Sequence, residues 1–399
     1  MSAFIDKIRD LFSAEFVIAS FLPAFVAIFV NASIAFATVP AFHDFVIAQK
    51  PERNVATLIT AGGALFAIGV LAFLLSTLTT FQRELLEGKH WIVEKLERLF
   101  VSMQEAERAK VEDRLQAIRR ERRAVKRNGE PAQRALKAAR TAGASSTDVY
   151  DPAPIDKLLG PAKEKSEHVE MAELQVIYAE LEAALKTHNA NTQHALDDQQ
   201  RDFLELVEQK RLYVEQQYID AFNAMQYSFG SGRKTAATAI GNVAGALAAY
   251  PLGRYGMSMD LFWTRLQHAA HGDEYFAVVK SAKAQLDALI TLFWLLAITF
   301  SVWSIWLAVF SAAFWWFVGV ALLGPLICRS VYFLALNSYR GFAEVVRSVI
   351  DLYRFKVLGN LHIPLPLDVK AERELWDKLD GFIGYANDSQ IAYRHEASS

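Results

Sequence analysis

The sequence predicts an all-α membrane protein: four transmembrane helices as two hairpins, with a large cytoplasmic helical and coiled-coil insert between spans two and three. Three observations lead there. Residues 16–42, 54–81 and 288–328 contain no Asp, Glu, Lys or Arg. A charge-dense region, 82–287, separates the second stretch from the third. Within that region apolar residues recur at helical spacing. The whole-chain figures are 399 residues, 53% hydrophobic and a formal net charge of −2. They average these unlike parts and conceal them. They argue against a basic nucleic-acid-binding domain, a soluble dinucleotide enzyme and a disulfide-rich secreted module. The single cysteine, Cys328, excludes an intrachain disulfide and fits a reducing compartment.

A bilayer core needs roughly 20 apolar helical residues. The first two charge-free stretches each supply one crossing. The third is too long for one helix at about 1.5 Å per residue, so it reads as a hairpin turning near 308–313. Its second helix continues past Arg329 to about Leu336. Trp303, Trp306, Trp315 and Trp316 bracket the turn, as expected of indole rings at headgroup level. Gly62 and Gly63, with Ala64 and Ala67, offer a face for close helix approach. Arg83, Lys89, Lys95 and Arg98 follow span two, Lys280 and Lys283 precede span three, and the tail of span four brings Arg329, Arg340 and Arg347. The loop between spans one and two has only Lys50 and Arg53. The basic bias places the insert and both termini in the cytoplasm of a bacterial inner (plasma) membrane protein. Residues 1–15, with Phe4, Ile5, Ile8, Leu11 and Phe12 on one face, read as an interfacial amphipathic helix.

The remaining divisions are a hairpin at 16–81, a basic helical region at 82–142, a linker at 143–163 and an acidic helical region at 164–229. Membrane-proximal helices at 230–287, a second hairpin at 288–336 and a helical tail at 337–399 follow. A long helix over 84–126 carries the narrow stripe Val93, Leu96, Leu99, Phe100, Met103, Val111, Leu115 and Ile118. The stripe resembles a coiled-coil seam. Asn128-Gly129-Glu130-Pro131 is expected to end that helix. The acidic region breaks near 188–191, and Pro251 is expected to stop a small-residue helix that begins at Lys234. Residues 113–140 carry a net +7 and residues 164–220 a net −8. The simplest consequence is that acidic helices pair with the basic one, within a chain or between chains. The sharper alternative makes Arg119, Arg120, Arg122, Arg123, Lys126 and Arg127 a site for nucleic acid or anionic lipid; an upright helix would hold the cluster too far from its own bilayer, which leaves an acidic protein partner, with nucleic acid the less favoured ligand.

Motifs for chemistry are sparse. The segment 230–235, Gly-Ser-Gly-Arg-Lys-Thr, departs from a phosphate loop because Arg233 stands where Lys is required and no strand precedes it. His268 and His271 are the weak metal candidates, three residues apart, but Gly272 is placed to break their helix and no further ligand is identifiable. No nucleophile elbow, HExxH or CxxC pattern occurs. The sequence therefore assigns no catalytic residue, no cofactor and no metal.

Several short pieces resemble a family of uncharacterised bacterial integral membrane proteins. They are Glu87-Gly88 with Trp91, Ile240-Gly241-Asn242, Tyr250-Pro251 with Arg254-Tyr255-Gly256, and Trp263 with Arg265-Leu266. Asp351-Leu352-Tyr353-Arg354, Leu365-Pro366 and Glu372-Arg373-Glu374-Leu375-Trp376 complete the set. Thr264 and the Lys89-His90-Trp91 segment depart from the pattern. The resemblance implies a bacterial inner membrane and no activity. Most of the pieces flank spans, so Trp91, Trp263, Arg265, Arg354 and Trp376 are candidates for a membrane-proximal collar, with 362–366 as a Pro-stiffened strap. Ordinary packing is the competing account. The leading functional expectation is a membrane-anchored, non-enzymatic scaffold or regulator that contacts lipid and assembles as a homo-oligomer. The alternatives are an oligomeric channel gated by the insert and an unrecognised enzyme at the collar.

Overall fold

Four helices are long and apolar enough to cross a membrane: Ala14–Thr38, Leu65–Leu86, Glu274–Phe310 and Phe314–Asn360. The computed structural model describes residues 14–48, 55–89, 94–142, 153–165, 168–187, 193–230, 234–310, 314–385 and 391–393. Among them every long regular element is helical and no strand occurs. In chain order these are α1 (Ala14–Thr38), α2 (Pro40–Ala48), α3 (Val55–Leu86), α4 (Glu94–Ala142), α5 (Ala153–Lys165) and α6 (Met171–Thr187). The others are α7 (Gln193–Phe229), α8 (Ala239–Tyr255), α9 (Met259–Ala270), α10 (Glu274–Phe310), α11 (Phe314–Asn360) and α12 (Val369–Tyr385). The chain divides into two compact units, 1–105 with 227–399, and 106–226. The second is narrower than the charge-dense region 82–287, because both ends of that region belong to the unit that holds the apolar helices.

In the first unit α10 is the shared wall. Phe293 meets Tyr332 with ring centroids 6.0 Å apart, and Phe300 lies against Gly324, so α10 and α11 run antiparallel. Asn31 of α1 donates to Thr299 at 2.9 Å and accepts from the indole N–H of Trp303 at 2.9 Å. On α3, Gln82 accepts from Thr291 at 3.2 Å, and its carbonyl accepts from the indole of Trp294 at 3.1 Å. A polar group in an apolar surround needs such partners, since an unmatched one costs several kcal/mol. These few bonds therefore set which helices meet and at what register. Trp303 is thus used in packing, whereas Trp315 is 80% exposed.

Several element boundaries differ from expectation. The first charge-free stretch is not one helix: Val39 is extended (φ −114°, ψ 101°) and α2 restarts at Pro40. The ring of a proline disfavours helical geometry at the residue before it and suits the first helical position itself. The helix expected over 84–126 does not start at Glu84. The helix of span two runs to Leu86 and the chain turns at Gly88, φ +81°. Nor does α4 end at 128–131; it continues to Ala142. An interior proline removes one N–H bond and crowds the carbonyl four residues earlier, and here the alanine-rich sequence after Pro131 favours continued helix. Pro251 likewise lies inside α8, which ends at Gly256 (φ +79°). The N–H groups of Gly256 and Met257 turn back to Leu252 and Pro251. Helix α11 runs on to Asn360 because Tyr339, Ala343, Val346, Ile350, Tyr353 and Val357 bury a continuous stripe beyond the apolar span. Gly62 and Gly63 face open space, and the close approach occurs at Gly324 instead. The expected amphipathic segment at 1–15 lies outside the described residues except for its last two positions.

The linker expected at 143–163 also differs: 153–165 is helix α5. Ile155, Leu159 and Ala162 lie on one face and pack with Val169, Leu174, Ile177, Leu181, Phe203 and Leu206 in the second unit. Burying an Ile or Leu side chain is worth about 1.5–3 kcal/mol, enough to hold a helix that contains Gly160 and Pro161. A second core in this unit joins Leu115, Ile118 and Val125 of α4 to Val214 and Ala221 of α7.

A Cβ built on Gly324 would stand 2.8 Å from Cβ and Cγ of Phe300. Gly324→Ala is expected to cost about 1–3 kcal/mol, the usual range for overpacking. Thermal unfolding of detergent-solubilised protein, followed by tryptophan fluorescence, checks this. Gly319→Ala, which meets nothing within 4 Å, is the control and is expected to leave the midpoint equal or raise it slightly, since alanine favours helix over glycine.

Candidate functional site

The polar residues of the first unit concentrate where span two ends and along the second half of α11. At the end of α3, Glu87 is 6% exposed. Its carboxylate accepts from the Tyr339 hydroxyl at 2.9 Å and pairs with the Lys89 ammonium at 2.8 Å. Arg83 stands between Glu87 (4.0 Å) and Asp287 (3.9 Å), and Lys283 pairs with Asp287 at 2.6 Å. The start of α8 closes on this turn. The Thr238 hydroxyl donates to the Leu86 carbonyl at 2.7 Å and accepts from the Gly241 N–H at 2.9 Å, capping the helix. A Cβ on Gly241 would lie 2.0 Å from the Glu87 carbonyl oxygen, so only glycine fits there. Asn242 accepts from the Ala236 N–H and donates to Gln104.

Further along α11 a second network forms. Asp351 accepts from the hydroxyls of Tyr250 (2.9 Å) and Tyr255 (2.7 Å). Burial first, then the bond to Asp351, pushes both phenols above their ordinary range, so they remain protonated donors. Arg354 donates to Glu372 at 2.7 Å and to the Asp351 carbonyl, and its guanidinium lies 4.3 Å from the Tyr255 ring centroid. Glu372 also accepts from the Trp376 indole at 3.4 Å. Trp376 is fully buried, edge-on to Phe262 at 4.9 Å. Arg373 donates to the Gly253 and Arg254 carbonyls at the end of α8. Between the two networks, Arg347 is 4% exposed and bonds Glu344 at 2.9 Å. Its Nε and Nη2 have no hydrogen-bond partner among the described residues. The faces of Tyr227 (3.9 Å) and Tyr250 (5.6 Å) supply the negative potential that a desolvated guanidinium requires.

The structure brings Arg354 and Trp376 together on one carboxylate oxygen. Arg265 is exposed and bonds the Leu261 carbonyl, reaching the pair only through the Phe262 ring, 5.7 Å from its guanidinium. Trp263 is half-buried against the same core. Trp91 lies outside the described residues. Residues 363–366 have no regular structure, His362 adopts φ +56°, and Ile363 is buried. Sequence reading missed Glu87 as a buried charge, along with Tyr339, Asp351 and Glu372. Their signal was a carboxylate or phenol on the apolar face of an otherwise regular stripe.

His268 and His271 are both exposed; α9 ends at Ala270, and Gly272 turns the chain with φ +87°. No group of three metal-ligating side chains occurs among the described residues. Arg233 lies outside the described residues, and Gly230 (φ +66°) packs on the Ala246 backbone. In the second unit the basic cluster meets α7 of the same chain. Arg122 forms a two-pronged bond to Glu215 (2.6 and 2.7 Å) and stacks 4.3 Å from the Tyr218 centroid. Arg119 lies 6.0 Å from that ring, and Lys210, nearly buried, pairs with Glu121 at 2.8 Å. Arg120, Arg123, Lys126 and Arg127 are exposed. The chain matches no protein-family model, no curated protein and no solved structure.

Arg354→Ala leaves Glu372, 4% exposed, as an uncompensated buried charge. The expected loss is about 3–5 kcal/mol, and the pair Arg354→Met with Glu372→Leu is expected to restore most of it. Chemical denaturation in detergent measures both. Retained stability in the single variant would show that the ion pair does not hold α11 to α12.

Proposed function

We propose that this chain is a membrane-anchored, non-enzymatic scaffold or regulator, built on two membrane hairpins, that assembles as a homo-oligomer through its water-facing helices. The observation that carries the reading is on α7. Val214 and Ala221 are buried against α4, yet Leu212 and Ile219 stay 58% and 43% exposed. Seven residues apart, they share one helical face, the spacing of a coiled-coil seam. Beside them Arg211 pairs with Glu208 along the helix, and the Asp220 carboxylate accepts a hydrogen bond from the neutral Gln216 amide. An uncharged apolar stripe whose polar neighbours are bonded within their own helix suits a second copy of itself better than an acidic or basic partner. The internal pairing of Arg122 with Glu215 supports the same preference. Lysine and arginine behind span two and ahead of span three favour a cytoplasmic insert.

Light scattering of the solubilised full chain tests the assembly. Wild type is expected to be oligomeric, and Leu212→Glu with Ile219→Glu is expected to shift it to monomer with helical content unchanged. A wild type that stays monomeric as concentration rises sinks the proposal. Ion flux from liposomes carrying the purified protein would instead favour a channel.

A further inference from the structure

An open cleft of about 270 Å³ lies among the ends of α1, α3 and α10, lined by Glu15, Ser20, Thr79, Lys280, Lys283 and Asp287. Three features give it a setting. The first is level. Glu15 is the last charge before the apolar run of α1, Arg83 the first after that of α3, and Asp287 the last before that of α10. All three apolar runs therefore change to charged sequence around this cleft, and that change marks the headgroup zone of a bilayer. The second is shape. Residues Val17–Phe21 form a π turn, a wider turn than the α-helix, and Phe16, Ala19 and Ser20 form one wall of the cleft. Pro23 has no N–H to give the Ala19 carbonyl, which accounts for the wider turn at this point. Ser20 is 1% exposed.

The third feature is charge of both signs. Asp287 is matched by Lys283 and Arg83. Lys280 and Glu15 are exposed and form no ion pair among the described residues, and the Lys280 ammonium rests 5.3 Å from the Phe276 ring. The cleft thus offers one available cation and one available carboxylate at headgroup level. Its volume is close to the lower bound of small-molecule sites, about 300 Å³, and suits a headgroup rather than an acyl chain.

We propose that this cleft holds the headgroup of a zwitterionic phospholipid, with its phosphate on Lys280 and its ammonium on Glu15. Phosphate accepts charge-assisted bonds from the Lys280 ammonium, and a primary ammonium donates to the Glu15 carboxylate. A headgroup with phosphate alone would leave Glu15 unmatched beside a like charge. The proposal stands on the cleft and does not depend on the oligomeric state.

The test titrates the full chain in detergent with phosphatidylethanolamine, phosphatidylglycerol or inorganic phosphate. Bound lipid is counted by native mass spectrometry while the unfolding midpoint is read in parallel. Phosphatidylethanolamine is expected to bind one per chain and about tenfold more tightly than phosphatidylglycerol, the worth of one charge-assisted contact. Lys280→Ala is expected to weaken both lipids about tenfold, and Glu15→Gln to weaken phosphatidylethanolamine alone and erase the preference. Both side chains are exposed, so both variants are expected to fold, with midpoints in lipid-free detergent equal to wild type. Equal binding of the two lipids by wild type, or wild-type binding by both variants, overturns the proposal. A midpoint rise with inorganic phosphate equal to that with lipid overturns the lipid assignment in favour of a free-anion site.

Discussion

A carboxylate taken out of water must be met by donors, and Glu87 imposes that requirement where a membrane helix stops. It is buried at the turn after α3, and its partners come from the turn and from α11: Lys89 and Tyr339. The same turn presents its carbonyls outward, where Thr238 bonds Leu86 and Gly241 closes on Glu87 itself. One buried charge and one missing side chain thus join α3, α11 and α8. The cost of leaving such a carboxylate unmatched, several kcal/mol, exceeds what any one apolar contact nearby supplies.

Helix α11 repeats the principle along its length. Tyr339, Arg347, Asp351 and Arg354 take a partner from the turn after α3, from α7, α8 or α12, or from α11 itself, while Ala343, Val346, Ile350 and Val357 fill the core between them. A regular helix presents these groups at intervals of one or two turns, so the polar partners act as register marks. Apolar packing alone tolerates sliding and repacking; directional bonds to buried groups do not. The tyrosines serve because their pKa values, raised by burial, keep them as neutral donors to Asp351.

The second unit is built differently. Its apolar cores, around Ile177 and Phe203 and around Leu115 and Val214, lie inside, and Arg122, Lys163 and Lys165 form their ion pairs toward water, whereas Lys210, nearly buried, meets Glu121. Arg122 and Glu215 are both more than two-fifths exposed, so that pair contributes little, roughly 0–1 kcal/mol. Opposite charge there selects which helix faces meet more than it stabilises their meeting.

The apolar spans were legible because a bilayer needs about 20 uncharged residues in succession, a local property of sequence. The helix ends at Val39 and Gly256 were less legible, since a proline or glycine that looks like a stop can be carried or used according to what packs around it. Pro251 and Pro161 lie within helices; Pro40 begins one. Of the candidate collar, the sequence marked Arg354 and Trp376 but not their shared partner Glu372, nor Asp351 as the acceptor of two tyrosines. Their identities were visible and their neighbours were not. Sequence by itself determined the helical class, the four apolar segments and the opposite charges of 113–140 and 164–220. Only the tertiary structure decided that Arg122 finds Glu215 in the same chain, that Glu87 is buried, and that the apolar runs of α1, α3 and α10 end around one cleft. Local composition sets what a segment prefers; which groups are desolvated together depends on contacts between residues hundreds of positions apart.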